Sequence, residues 1–387
     1  MSFSFREAPR AARPYYPALT GLRALAAYMI FVLHARSPAM PPWLGSIASQ
    51  FYVGVSLFFV LSGFLITTRY QGSIKFTCPW WRHYLWRRFA RIFPLYLLLN
   101  GLLLFVLYGH SPAGTGTRTL ALVLLSQSLL RGLSSTLKYV GIPQGWSLTV
   151  EECFYLAAPL LLGAWARWGG RGAAGFVAVT LASGLLLTYC CAGQPALHGL
   201  FGSYYHLVNF TFFGRVLEFV AGAGLARWWA GRPAAAFPRW PWRTLAGLGL
   251  AGLAVGLLAQ RDSPSTFYEG LLDPAAIAVH LLLFPAGAVV LLAGLLAERS
   301  WLRTFLSTRL LGVLGRSSYA FYLLHIGVFS IWWHSSRFEG SIGWQFLALL
   351  GLALGCYYGI EQPLRRLLLR RVPPYPAAAP AAGLANR

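Results

Sequence analysis

Long apolar runs recur along this 387-residue chain, and each is long enough to cross a lipid bilayer as a helix. Only 11% of the residues are charged, whereas a typical soluble domain has about 25%. The sequence therefore predicts an all-α, polytopic membrane bundle of about ten transmembrane helices. The predicted spans are residues 17–35, 51–70, 92–109, 147–166, 173–192, 209–230, 243–259, 276–297, 317–335 and 343–363. A further apolar piece, 119–130, is too short to cross.

Lysine and arginine residues are distributed unequally between the two sets of connections. If the N-terminus is cytoplasmic, 24 of the 32 basic residues fall in cytoplasmic segments and six in outer ones. The positive-inside rule predicts such an excess, so both termini are expected in the cytoplasm, and the membrane of a bacterial host would be the cytoplasmic one. The net charge of +22 then reflects loops that face anionic membrane lipids, and no nucleic-acid motif accompanies it.

One membrane domain, at residues 17–366, is predicted to occupy most of the chain. A cytoplasmic arm at 1–16 precedes it, and a disordered Pro/Ala-rich tail at 367–387 follows it. The first span is not expected to be a cleaved signal peptide, because Arg23 interrupts its apolar run. The five cysteines lack the spacing of zinc or redox sites, so neither a metal site nor a disulfide framework is expected.

The first span carries two ionisable residues, Arg23 and His34. Eleven helical steps place them within roughly 20° of each other on one face, about 16 Å apart along the axis. An ionisable group at mid-helix in a bilayer costs about 2.5 to 3.5 kcal/mol, so both residues are candidates for a functional site. Their separation means that they cannot share one small reactive centre.

Basic residues cluster where the chain enters the third span. Arg88 and Arg91 lie three residues apart on one helical face, and two guanidinium groups so placed could hold a phosphate or pyrophosphate. An ordinary positive-inside anchor among interfacial tryptophans is an equally good interpretation. Nearby Arg82, His83 and Arg87 are expected to be surface groups.

The fourth and sixth spans contain the acidic residues that are candidates for a functional role. Glu151 and Glu152 fall in the first turns of the fourth span, where the helix dipole favours a carboxylate. Glu151 is the one expected to face the bundle, and helix-end capping is the alternative. In the sixth span, Arg215 and Glu218 lie at i and i+3 and are expected to form an intrahelical ion pair with a structural role.

The ninth span carries His325 about 13 Å above the predicted cytoplasmic edge, whereas His34 lies about 24 Å from that edge. A lone histidine in a helical bundle is often an interhelical hydrogen-bonding group, so His325 is a secondary candidate. Ser62 and Gly63 in the second span are small residues that permit close helix contact, and they need no catalytic role.

These motifs together resemble the acyltransferase-3 family of integral membrane O-acyltransferases, which modify bacterial surface polysaccharides, lipid-linked sugars and some antibiotics. Five motifs occur in the family's order: Arg-x10-His, a phenylalanine-rich SG motif, RxxR, a WSLxxE-like element and SYxxYLLH. The matching residues are Arg23 and His34, Ser62 and Gly63, Arg88 and Arg91, Trp146 to Glu151, and Ser318 to His325. The esterase-like domain that some members append is not expected in this chain.

The resemblance implies an acyl-CoA donor on the cytoplasmic side, acetyl-CoA or a related thioester, with no bound cofactor. It implies a carbohydrate or glycolipid hydroxyl as acceptor, with the outer segment 110–146 as the candidate for acceptor contacts. Arg88 and Arg91 would bind CoA phosphates, and Arg23 would guide the pantetheine arm or neutralise charge. His34 would act as general base or acyl carrier, and Glu151 would orient the imidazole or bind the acceptor.

A rival interpretation is a transporter or flippase of a lipid-linked or anionic solute, because intramembrane Arg, Glu and His also mark transport paths. It predicts two repeats with paired Gly- or Pro-interrupted spans, which the sequence does not clearly show. A third interpretation is an inactive relative that serves as a sensor or scaffold. Transfer of an acyl group from CoA to an extractable product would discriminate among them.

Overall fold

The computed structural model describes residues 15–36, 40–108, 116–231, 240–261, 273–335 and 341–370. Helices dominate these residues, and a single isolated antiparallel bridge joins Ser134 to Leu200 within them. The α-helices are α1 (Pro17–His34), α2 (Pro42–Ser49), α3 (Val53–Tyr70), α4 (Cys78–Tyr108), α5 (Gly116–Gln127), α6 (Gly145–Cys191), α7 (Tyr204–Phe210), α8 (Phe212–Ala230), α9 (Trp242–Ala259), α10 (Pro274–Ala278), α11 (Phe284–Ala297), α12 (Trp301–Leu306), α13 (Arg309–Leu324), α14 (Val328–His334), α15 (Ile342–Cys356) and α16 (Gln362–Arg370).

Eight helical stretches of the described chain are long and apolar enough to cross a membrane, so the protein is an all-helical integral membrane protein. They are Pro17–His34, Pro42–Tyr70, Cys78–Leu107, Gly145–Cys191, Tyr204–Ala230, Trp242–Ala259, Pro274–Ala297 and Ile342–Arg370. The short helix α5, which overlaps the apolar piece predicted to be too short to cross, is not one of them.

The count of eight differs from the predicted ten at two places. The predicted fourth and fifth spans lie in one 47-residue stretch, α6, whose backbone leaves the helical conformation at Gly169 with φ of 60°. The predicted ninth span, 317–335, is divided between α13 and α14, because the chain turns at Gly327 with φ of 121°. Glycine adopts such positive φ values without the steric cost that a Cβ imposes.

The chain termini fall partly outside the described residues. Residues 1–14 and 371–387, most of the predicted arm and tail, are not described. The final helix α16 runs to Arg370, so residues 367–370 are helical where a disordered tail was expected.

Helices α3 and α8 form one of the main packing interfaces, and α1 packs on α13. A Cβ added at Gly63 of α3 would collide with the carbonyl oxygen of Phe219 in α8, and one at Gly222 of α8 would collide with the carbonyl of Val60. The close helix contact expected from the SG motif is therefore confirmed. It places the polar faces of α1, α3, α6, α8 and α13 around a common interior.

Candidate active site

A cavity of about 460 Å³ opens among α1, α3, α8, α13 and the segment that leads into α6. Its volume lies in the range of about 300 to 1,000 Å³ typical of small-molecule sites. Most of its walls are aliphatic or aromatic, and the predicted outer segment contributes Tyr139, Pro143, Gln144 and Trp146. Residues 109–115 of that segment lie outside the described part of the chain.

His34, the last residue of α1, lines this cavity, and its side chain is exposed there. Its Nδ1 lies 2.8 Å from the carbonyl oxygen of Ile30, one helical turn earlier. A carbonyl can only accept a hydrogen bond, so Nδ1 carries the proton of the neutral ring and Nε2 keeps its lone pair. The structure thus presents an imidazole with a basic nitrogen and a fixed ring orientation.

His325 lies directly beside His34, with ring centroids 5.2 Å apart. The predicted difference in height between the two residues was wrong, because α13 begins at Arg309, eight residues before the apolar run at 317. His325 therefore follows 16 helical residues, about 24 Å of rise, and reaches the same depth as His34. Its Nδ1 contacts the Tyr322 carbonyl at 2.6 Å, and its buried Nε2 has no hydrogen-bond partner among the described residues.

A second, smaller pocket of about 50 Å³ adjoins the cavity. Arg23, Arg91 and Glu151 line it together, although they come from three different helices. Glu151 accepts hydrogen bonds from Ser62, at 2.7 Å, and from Tyr155. The predicted inward orientation of Glu151 is thus observed, and its side chain lines the same pocket as Arg23 and Arg91, as expected of acidic and basic residues within a membrane protein.

The two pockets meet at shared walls. Val55 and Tyr322 line both of them. The Tyr322 hydroxyl forms a 2.7 Å hydrogen bond with Ser147, at the start of α6. Arg23 and His34 therefore belong to adjoining pockets, in keeping with the separation that their spacing predicts.

Arg88 and Arg91 have different surroundings. Arg88 is only 4% exposed, and its guanidinium lies 5.6 Å from the ring centroid of Tyr70 and 5.5 Å from that of Tyr155. It also donates a 3.3 Å hydrogen bond to the Tyr70 hydroxyl. Such an enclosed cation–π arrangement stabilises the helix packing, whereas Arg91 faces the small pocket.

Arg215 and Glu218 form the expected ion pair, at 2.7 Å, and both are buried. The pair is bidentate, and Arg215 also donates to Ser56 at 2.9 Å. Ser56 in turn contacts His280 Nε2 at 3.2 Å, and both Arg215 and His280 line the large cavity.

Two ionisable residues in or near these pockets were not singled out from the sequence. His280 lies in the predicted eighth span, and Glu361 at the end of the tenth. Glu361 is buried and near enough to Arg23 and Arg91 for their charges to interact. The rule that an ionisable residue within a span marks a site would have identified both.

Fold and pockets together define a polytopic membrane protein whose intramembrane ionisable residues converge on two adjoining pockets. The acyltransferase domain family matches residues 16–361, nearly the whole chain, so the protein belongs to that family. The family resemblance carried by the five motifs is confirmed.

Named relatives agree with this membership. Acyltransferase MdmB of Streptomyces mycarofaciens is 29% identical over 96% of this chain and 97% of its own length. Peptidoglycan O-acetyltransferase OatA of Listeria monocytogenes is 24% identical over 83% of this chain and 50% of its own. Nodulation protein 10 of Rhizobium leguminosarum is 27% identical over 53% of this chain and 63% of its own. No solved structure matches the chain.

Proposed function

We propose that this protein is a membrane O-acyltransferase that transfers an acyl group, acetyl in the simplest case, from acyl-CoA to a hydroxyl of a carbohydrate or glycolipid. Membership of the acyltransferase domain family supports the reaction class, and the names of two relatives, an acyltransferase and a peptidoglycan O-acetyltransferase, support O-acyl transfer. Both termini are cytoplasmic in this proposal, as the distribution of basic residues favours.

The observation that carries the proposal is the meeting of two chemically different pockets. The small pocket contains Arg23 and Arg91, which suit the anionic donor. The large cavity contains His34 and mostly uncharged walls, which suit the acceptor. Because Val55 and Tyr322 line both, a thioester that enters from the small pocket reaches the acceptor hydroxyl at their junction.

In the proposed reaction, His34 Nε2 takes the proton of the acceptor hydroxyl as its oxygen attacks the thioester carbonyl. An acyl–oxygen bond forms, the carbon–sulfur bond breaks, and CoA leaves as a thiolate that takes the proton from His34 Nε2, which regenerates the neutral imidazole. The Ile30 carbonyl, 2.8 Å from Nδ1, stabilises the imidazolium that forms in between. His325 acts as a positioning residue, since its ring restricts the orientation of His34. A covalent acyl-His34 is the alternative route, and label that stays on the protein through rapid gel filtration at neutral pH and is released by neutral hydroxylamine would reveal it.

The direct test uses purified protein in lipid nanodiscs with radiolabelled acetyl-CoA and a glycan and glycolipid extract of the host membrane. His34→Gln should abolish transfer of label to the extract. His334→Gln is the matched control, because His334 also ends a helix and its Nδ1 also contacts a carbonyl four residues earlier, at 2.7 Å. Full activity of His34→Gln would refute the proposed base. Solute transport by the same protein in sealed liposomes, without labelled product in the nanodisc assay, would favour a flippase.

A further inference from the structure

The part of the large cavity's wall that contains Arg215, Asn209 and Gln144 has no net charge among its described residues. Arg215 is the one residue with a permanent charge among the described residues that line the cavity. Both oxygens of Glu218 accept from its guanidinium, at 2.7 and 2.9 Å, so no net cationic charge faces a ligand. The remaining guanidinium nitrogen of Arg215, Nη1, donates to the Asn209 carbonyl at 3.4 Å. Lys138 does not line the cavity, and its ammonium lies over the Tyr139 and Phe210 rings.

Two side-chain amides in this wall have unused acceptor oxygens. Gln144 Nε2 donates to the Tyr322 and Leu323 carbonyls, at 2.8 and 3.1 Å, which assigns its nitrogen and leaves Oε1 without a partner among the described residues. Asn209 Nδ2 donates to the Tyr205 carbonyl at 3.0 Å, and Asn209 Oδ1 also has no hydrogen-bond partner among the described residues. An unsatisfied buried polar atom is unfavourable. Both oxygens are buried, so a ligand hydroxyl that reaches either of them after a small side-chain movement would be stabilised by the hydrogen bond.

Aromatic side chains supply the rest of the surface. Trp146 and Phe210 pack edge to face with centroids 4.8 Å apart, and both line the cavity together with Tyr139. Aromatic faces beside acceptor oxygens complement a ring that has apolar carbon–hydrogen faces and hydroxyl edges. A carboxylate or phosphate in the same place would meet acceptor oxygens and, among the described residues that line the cavity, no unpaired arginine or lysine, so its burial would be unfavourable.

We propose that this cavity selects an uncharged glycosyl acceptor and rejects acidic sugars, with Asn209 and Gln144 accepting hydrogen bonds from the acceptor's hydroxyls. The inference rests on the proposed function, because it assumes that the acceptor occupies the cavity beside His34. It goes beyond that function by specifying that the acceptor is uncharged and by naming the residues that bind its hydroxyls.

Equilibrium dialysis against the protein in nanodiscs, with empty nanodiscs as blank, tests the inference without requiring acyl transfer. The probes are p-nitrophenyl β-glucoside and p-nitrophenyl β-glucuronide, which differ chiefly by one carboxylate, ionised at pH 7.5. The glucoside should bind at least about tenfold more tightly, a difference of about 1.4 kcal/mol. Asn209→Leu should weaken glucoside binding by a similar factor. If that variant misfolds, Trp146→Leu, which removes an aromatic wall, should do the same.

Equal or tighter binding of the glucuronide would overturn the inference, as would the absence of binding by both probes. Unchanged glucoside binding by folded Asn209→Leu would overturn the role of that amide. None of these results bears on acyl transfer to the host extract, so failure of the inference and failure of the proposed function remain distinguishable.

Discussion

Replacing Arg91 by alanine should weaken donor binding while leaving the fold intact. Arg91 faces the small pocket with Arg23 and Glu151, so its guanidinium is available to an anionic ligand. A hydrogen bond to a charged group is worth about 1.5 to 3 kcal/mol. At about 1.4 kcal/mol per factor of ten, Arg91→Ala should raise the KM for acetyl-CoA by about 10- to 150-fold. The acceptor KM should not change, because Arg91 does not line the large cavity.

Arg88→Ala should lower the stability of the protein and leave donor binding unchanged. The Arg88 side chain is enclosed by tyrosine rings, so its loss leaves a gap. The free energy of unfolding should fall by about 2 to 4 kcal/mol, without a specific effect on the donor KM. Initial rates in nanodiscs at varied acetyl-CoA, with thermal unfolding of the same samples, separate the two effects. Arg82→Ala, an exposed position on α4, is the matched control. An unchanged donor KM in Arg91→Ala would refute the assignment of the small pocket to the donor.

Three further substitutions probe the surrounding structure. His325→Gln should lower kcat about tenfold or more and alter its pH profile, because the ring beside His34 is lost; an unaltered pH profile would limit His325 to packing. Gly63→Ala should destabilise the protein by about 1 to 3 kcal/mol, measured by thermal unfolding, since its methyl group would meet the α8 backbone; unchanged stability would contradict that contact. Glu361→Gln should lower the acetyl-CoA KM by removing an anion that competes with the donor for the pocket arginines, and a raised KM would contradict this competition.

The depth of His325 shows why a helix position is harder to predict than a motif. The apolar run suggests a start at residue 317, and the estimated height follows from that start. The helix instead begins after Thr308, whose side chain accepts a hydrogen bond from the Leu311 amide at 3.4 Å and caps the first turn. The apolar run therefore places the start of this helix eight residues too late, and the estimated height of His325 is too small for that reason.

The two arginines of the RxxR motif show a different limit of sequence reasoning. A spacing of three residues predicts a shared face, and two positions on that face still differ by about 60° around the axis. In the packed bundle this angle separates an aromatic enclosure around Arg88 from the small pocket at Arg91. The neighbours that create the difference, Tyr70 and Tyr155, come from other helices, and no local pattern around the motif indicates them.

The spacing of Arg23 and His34 also has an electrostatic consequence for the proposed base. A cation 4 Å from His34 would oppose protonation of its ring by about 4 kcal/mol at an effective dielectric constant of 20, whereas one about 16 Å away opposes it by only about 1 kcal/mol. Donor binding needs cations, and a general base must accept a proton. The two requirements conflict within one small site, and placing Arg23 in an adjoining pocket lowers its opposition to the protonation of His34 by about 3 kcal/mol. The eleven-residue separation therefore suits the proposed reaction, because it keeps the donor arginines away from the proposed base while the two pockets still share the walls formed by Val55 and Tyr322.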